Sequence, residues 1–158
     1  MKIFDIILLG CSATLFMDLY NFILKKLFGI RSLDYRLVGR WLLYLPQGQL
    51  FHHTIIQTPA IKSELMLGWL VHYLIGILFA VIFIACLDQF DYPTFLLAIG
   101  FGVFTVIIPF FLMQPCFGFG IASNQLVHPW KLRFKSLGNH IVFGLGLYLS
   151  IQLLYFTH

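Results

Sequence analysis

Long apolar runs separated by short polar stretches set the pattern of this chain. A bilayer-spanning helix needs about 20 predominantly apolar residues. Four segments meet that length: residues 3–27, 65–87, 94–114 and 137–156. The second and fourth carry no charged residue. The first holds Asp18 and ends on Lys25-Lys26. Leu8-Leu9-Gly10-Cys11 imitates a lipoprotein cleavage box. Asp5 interrupts the would-be signal core and the apolar run continues past Cys11, so the first helix is expected to stay. Pro109 should bend the third helix, and Gln114-Pro115 should end it.

Between the first two spans a shorter period emerges. Leu33, Leu37, Val38, Trp41, Leu42 and Leu45 recur at helical spacing, with Arg36 and Arg40 on another face. Ser32 can cap such a helix, Asp34 falls in its first turn, and Pro46-Gln47-Gly48 ends the run. A cytoplasmic amphipathic helix over residues 32–45 is expected, either in the headgroup layer or packed over the mouth of the bundle. His52 and His53 follow in a polar stretch and read as solvated.

Composition agrees with the pattern. The 158 residues are 60% hydrophobic and only 10% charged, more apolar surface than a soluble domain of this size can hide. The net charge of +4 forms no basic stripe, so nucleic acid is not an expected partner; the lipid bilayer is. A homo-oligomer or another membrane protein remains an open partner. Cys11, Cys86 and Cys116 form no CxxC pair and leave one unmatched, which argues against a disulfide framework.

The basic residues instead report orientation. Lys25, Lys26, Arg31, Arg36, Arg40 and Lys62 lie between the first two spans, and Lys131, Arg133 and Lys135 between the last two. The opposite side has only Lys2, with Asp88 and Asp91 in the second turn. The positive-inside rule places both basic loops in the cytoplasm and both termini in the periplasm of a bacterial inner membrane.

Candidate chemistry lies inside the spans. Measured from the cytoplasmic ends at about 1.5 Å per residue, Asp18 is roughly 10 Å deep, His72 about 12 Å and His140 about 8 Å. Asn139 adjoins His140, and Gln114 lies near the cytoplasmic end of the third span. Gly10, Thr14, Asp18, Asn21 and Lys25 share one face of the first helix; Glu64, Gly68, His72, Gly76 and Ala80 share one face of the second. Small residues on such stripes allow close helix approach. Glu64 reads as a rim charge, with Lys62 or Arg40 as the alternative partner. Ionisable groups in hydrocarbon must be paired, protonated or wetted.

Three readings of Asp18, His72, Asn139, His140 and Gln114 follow. One is a hydrogen-bond cluster that fixes helix register in a structural or accessory subunit. Another is a polar pocket in the cytoplasmic leaflet of a small transporter or ion-handling protein. The third is a metal or haem site using His72, His140 and Asp18. No nucleophile–base pair is legible, which argues against an enzyme, and no cofactor is specified.

Phe28-Gly29-Ile30-Arg31-Ser32 recurs as Phe119-Gly120-Ile121-Ala122-Ser123, and His72-x-x-x-Gly76 is echoed by His140-x-x-x-Gly144. A duplication would give two parallel helix hairpins related by an axis near the membrane normal. The glycine-rich stretch Phe117–Ser123 lacks the Lys and Ser/Thr of a phosphate loop and reads as a tight turn.

Five motifs carry a resemblance: Thr14-Leu15-x-Met17-Asp18-Leu19, Phe28-Gly29-Ile30-x-Ser32-Leu33-Asp34-Tyr35-x-Leu37-Val38-Gly39-Arg40-Trp41, Gly68-Trp69-x-x-His72-Tyr73, Pro109-Phe110-x-x-Met113-Gln114-Pro115 and His140-x-Val142-Phe143-Gly144-Leu145-Gly146-Leu147-Tyr148. Together they resemble a bacterial inner-membrane family known as domain of unknown function 2938. The resemblance spans nearly the whole chain. It implies a four-helix integral membrane protein in a bacterium and brings no substrate, cofactor or site residue; the apolar pattern itself is read as an all-α bundle in a single domain, residues 1–158.

Overall fold

The computed structural model describes residues 2–30, 32–87 and 94–156. Arg31 and the acidic turn containing Asp88 and Asp91 lie outside the described residues. Helix α1 spans Ile3–Phe28, α2 Tyr35–Tyr44, α3 Glu64–Leu87, α4 Phe95–Thr105, α5 Gln114–Cys116 and α6 Pro129–Phe156. A π turn, Pro109–Met113, links α4 to α5, so that the third apolar span runs over Phe95–Cys116. Four helices are thus long and apolar enough to cross a membrane.

The expected spans are recovered, with the larger shifts at two of their ends. Helix α6 starts at Pro129, eight residues before the expected 137, because Lys131, Arg133 and Lys135 are helical but not apolar. The third span passes Gln114-Pro115 and ends at Cys116. Pro115 sits one residue before the end of the span, where little helix remains for its missing N–H to interrupt. Pro109 opens the π turn, in which the Gln114 N–H reaches back to the Pro109 carbonyl. That local widening is how the helix accommodates a residue without a donor.

The amphipathic helix is shorter than the pattern suggested. Asp34, not Ser32, is its N-cap, accepting from the Arg36 N–H at 3.0 Å. An Asp carboxylate one residue before the helix satisfies a first-turn donor directly. Leu45–Gln47 then tightens into a 3₁₀ turn closed by Gly48 at φ 78°.

The chain divides into two compact units. The first comprises Met1–Ser32, Tyr73–Thr105 and Leu137–His158. Its core holds Leu9 and Ala13 of α1, Ala80 and Phe83 of α3, Ala98 and Phe101 of α4, and Phe143, Leu147 and Ile151 of α6. Phe101 meets both Phe79 and Phe83, and Phe79 also meets Phe143 edge-on. Glycines bring the backbones together. A Cβ on Gly10 would lie 2.5 Å from Ile77 Cα, and one on Gly76 would overlap the Thr14 hydroxyl. The expected stripes face inward over most of their length: Gly10, Thr14 and Asn21 of α1 are buried, as are Gly76 and Ala80 of α3, whereas Asp18 and His72 are half-buried and Lys25 is exposed. Helices without a hydrophobic drive between them associate through such close packing.

The second unit comprises Leu33–His72 and Val106–Ser136. Val38 of α2, Ile55, Cys116, Phe117 and Phe119 form its core. The segment after α2 docks on the turn after α5: the His52 N–H donates to the Cys116 carbonyl at 2.9 Å, and the Ile55 N–H to Phe117 at 2.9 Å. Gly118, at φ 78°, lies against the His52 and His53 carbonyls so closely that any Cβ would collide. Helix α2 packs on the start of α3 through Gly39 and Gly68, where a side chain on either would overlap the backbone of the other helix. The two FGI copies differ locally. Gly29 caps α1 at φ 69°, ψ 8°, whereas Gly120 is extended in ψ at φ 73°, ψ 174°.

Candidate functional site

Charge is buried most completely where α2 meets α3. The Arg40 Nε donates to Glu64 Oε2 at 2.8 Å and Nη2 to Oε1 at 2.9 Å, a bidentate pair. Arg40 Nη1 also donates to the carbonyls of Ile55 at 3.1 Å and Thr58 at 2.8 Å. Glu64 Oε2 in turn accepts from the Ile61 N–H at 3.1 Å. Both residues are less than a tenth exposed. Glu64 is therefore not a rim charge: the Gly39–Gly68 contact brings Arg40 alongside it and removes both from water. The hydrogen bond to Glu64 raises the Arg40 pKa above its ordinary value.

His52 is a second correction. It is 5% exposed, not solvated, whereas His53 remains exposed. Its Nδ1 lies 3.0 Å from Thr58 Oγ1 and 3.3 Å from Gln49 Nε2, and its ring meets Tyr44 edge-on. The Nε2 is buried with no hydrogen-bond partner. Burial, with help from the Arg40 charge, lowers its pKa below 6.5. The apolar period of α2 could not reveal this, because the backbone pairing of His52 and Ile55 with Cys116 and Phe117 joins segments about 60 residues apart.

The residues expected to share a pocket fall in both units. Asp18, Asn139 and His140 belong to the first, His72 and Gln114 to the second. Within the second unit, His72 Nε2 shares a 3.0 Å hydrogen bond with the Tyr35 hydroxyl and stacks on its ring, with Trp69 alongside. Gln114 Oε1 accepts from Ser123 Oγ at 2.9 Å.

Within the first unit, the Tyr73 hydroxyl donates to Asp18 Oδ2 at 3.1 Å. Thr105 donates its one hydroxyl proton to the Gly102 carbonyl at 2.6 Å, so His140 Nδ1, 2.7 Å away, is the donor to Thr105 Oγ1. Asn139 Oδ1 is buried without a hydrogen-bond partner.

Helix register sets the relative depth of these groups. Helices α1 and α6 run antiparallel: Ser12 bonds Ser150 at 2.9 Å, Gly146 lies against Ala13, and Gly138 lies 3.5 Å from the Tyr20 hydroxyl as measured from an added Cβ. The same register puts Asp18 level with His140. Among the described residues no group of three or more His, Cys, Asp or Glu is placed to hold a metal ion.

The lowered His52 pKa sets a pH dependence. Below 6.5 the unfolded chain binds the His52 proton while the folded chain resists it, so stability falls as pH drops from 6.5 toward the lower folded value. Thermal unfolding in detergent across that window should show the decline, and His52→Gln should flatten it. A wild-type curve that does not change on acidification through the window would contradict the burial argument.

Comparison with curated proteins and with solved structures finds no match. Among protein families, the description "protein of unknown function (DUF2938)" matches residues 7–154. The match runs from the first turns of α1 to the last turns of α6. The chain belongs to this family of proteins of unknown function, DUF2938.

Proposed function

We propose that this protein is a small transporter or ion- and proton-handling protein of a bacterial inner membrane. Asp18, Asn139 and His140 carry the polar chemistry. The supporting observation is that Asp18 and His140, on antiparallel helices of one unit, lie at about the same level, each hydrogen-bonded to a neighbouring helix. An intramembrane carboxylate and an imidazole at matched depth suit proton transfer, since His changes charge near neutrality. The Thr105 bond holds the His140 ring in place with a proton on Nδ1. Asn139 Oδ1 supplies an acceptor for an N–H or O–H of a passing solute or water.

A second reading is an accessory subunit whose polar groups only set helix register. The Tyr73–Asp18 and Thr105–His140 bonds each join two helices and favour it equally on geometry. Asp18→Asn separates the readings in proteoliposomes. The transport reading expects proton or solute flux to fall about a hundredfold, the lower end of what a positioned proton-transfer group contributes. Unchanged flux with a lower unfolding temperature would instead support the accessory subunit.

The orientation belongs to the same proposal. Arg36 and Arg40 pair with Asp34 and Glu64, and even without them seven of the nine basic residues remain on the loop side against Lys2. That contrast still favours cytoplasmic loops and periplasmic termini. A reporter fused after His158 should be active only in its periplasmic form; activity confined to the cytoplasmic form would reverse the assignment.

A further inference from the structure

The first turns of α6, apart from the intramembrane groups, are rich in cations. Residues 94–158 contain no Asp or Glu, yet they hold Lys131, Arg133 and Lys135 within five positions. The ion pairs formed among the described residues use Arg36 and Arg40, not these three. Lys135 is partly withdrawn from water and makes no hydrogen bond or ion pair with any described residue. A partly buried ammonium without an anion is costly. The helix supplies no carboxylate to relieve it.

Arg133 is held in place. Its Nε donates to the Ala122 carbonyl at 2.7 Å, and its guanidinium stacks 4.6 Å from the Trp130 ring. Ala122, at φ 48°, occupies the left-handed region that a side chain disfavours. The turn holds this conformation while its carbonyl meets Arg133, and the remaining guanidinium N–H groups have no partner among the described residues. Trp130 and Phe134, one helical turn apart, are 64% and 69% exposed. At 100° per residue, Arg133 flanks this aromatic stripe on one side and Lys131 and Lys135 on the other. An exposed aromatic stripe between cations, at the end of a span, matches the headgroup level of a bilayer.

We propose that the start of α6 is a binding site for an anionic phospholipid. Arg133 holds the headgroup phosphate beside Trp130, Lys131 and Lys135 across the aromatic stripe add attraction, and the acyl chains run past Phe134 toward the membrane interior. The site would recognise phosphatidylglycerol over zwitterionic phosphatidylcholine by charge.

The test is native mass spectrometry of the whole protein released from nanodiscs of phosphatidylcholine with a minority of phosphatidylglycerol. Wild type should retain phosphatidylglycerol preferentially. Arg133→Gln and Lys135→Gln should each cut that preference about fivefold, as expected for one interfacial cation. Arg133→Lys with Lys135→Arg keeps both charges and should keep most of it. Lys25→Gln with Lys26→Gln removes two charges from the last turn of α1 and should still leave it in place. Equal retention of the two lipids by wild type would overturn the proposal. So would an equal loss in the Lys25/Lys26 variant, which would mark a general charge effect. Displacement of the lipid by millimolar inorganic phosphate would also overturn it, in favour of a soluble-anion site.

Discussion

The Arg40–Glu64 pair is the interaction on which the second unit depends. One guanidinium satisfies both carboxylate oxygens and two backbone carbonyls, and the carboxylate also accepts the Ile61 N–H. Helix α2, the segment around Ile55–Thr58 and the start of α3 are thereby tied to one point. Desolvating two ions is expensive, and only near-complete hydrogen bonding offsets it. The pair supplies geometry more than net energy. With Arg40 in place, Val38 reaches the core beside Ile55 and Phe117, and His52 is held beneath Tyr44 and Thr58.

Close backbone packing makes that pairing attainable. Gly39 and Gly68 let α2 and α3 approach until no Cβ would fit, which brings Arg40 within bidentate reach of Glu64. The first unit uses the same device at Gly10 with Gly76, and at Gly102 with Gly144. In both units polar side chains then bridge between helices where the backbones are nearest: Asp18 with Tyr73, His140 with Thr105, His72 with Tyr35. Lipid offers no competing partner at those depths, so such bonds help fix register.

Much of the architecture was legible in the sequence, because span length, glycine stripes and the Pro109 distortion are local or periodic signals. The inward faces of α1 and α3 followed from steps of three and four. What escaped was pairing. Glu64 looked like a rim charge because no periodicity shows which helix lies against its first turn. His52 looked solvated because its burial comes from a turn about 60 residues away. The first two turns of α6 were missed because their lysines and arginine hide helical structure from an apolar search. The partners of Asp18 and His140 were likewise unreadable: depth follows from counting, but the neighbour across the interface does not.

Arg40 and Glu64 are buried together and each depends on the other to offset its desolvation. Thermal and denaturant unfolding of Glu64→Gln, Arg40→Met and the double variant Arg40→Met/Glu64→Leu, in one detergent, tests this dependence most directly. Each single change should cost about 3–5 kcal/mol by stranding a polar or charged partner, and the double change should recover most of that loss. Single-variant losses below about 1 kcal/mol, as for a surface pair, or losses that simply add in the double variant, would contradict it.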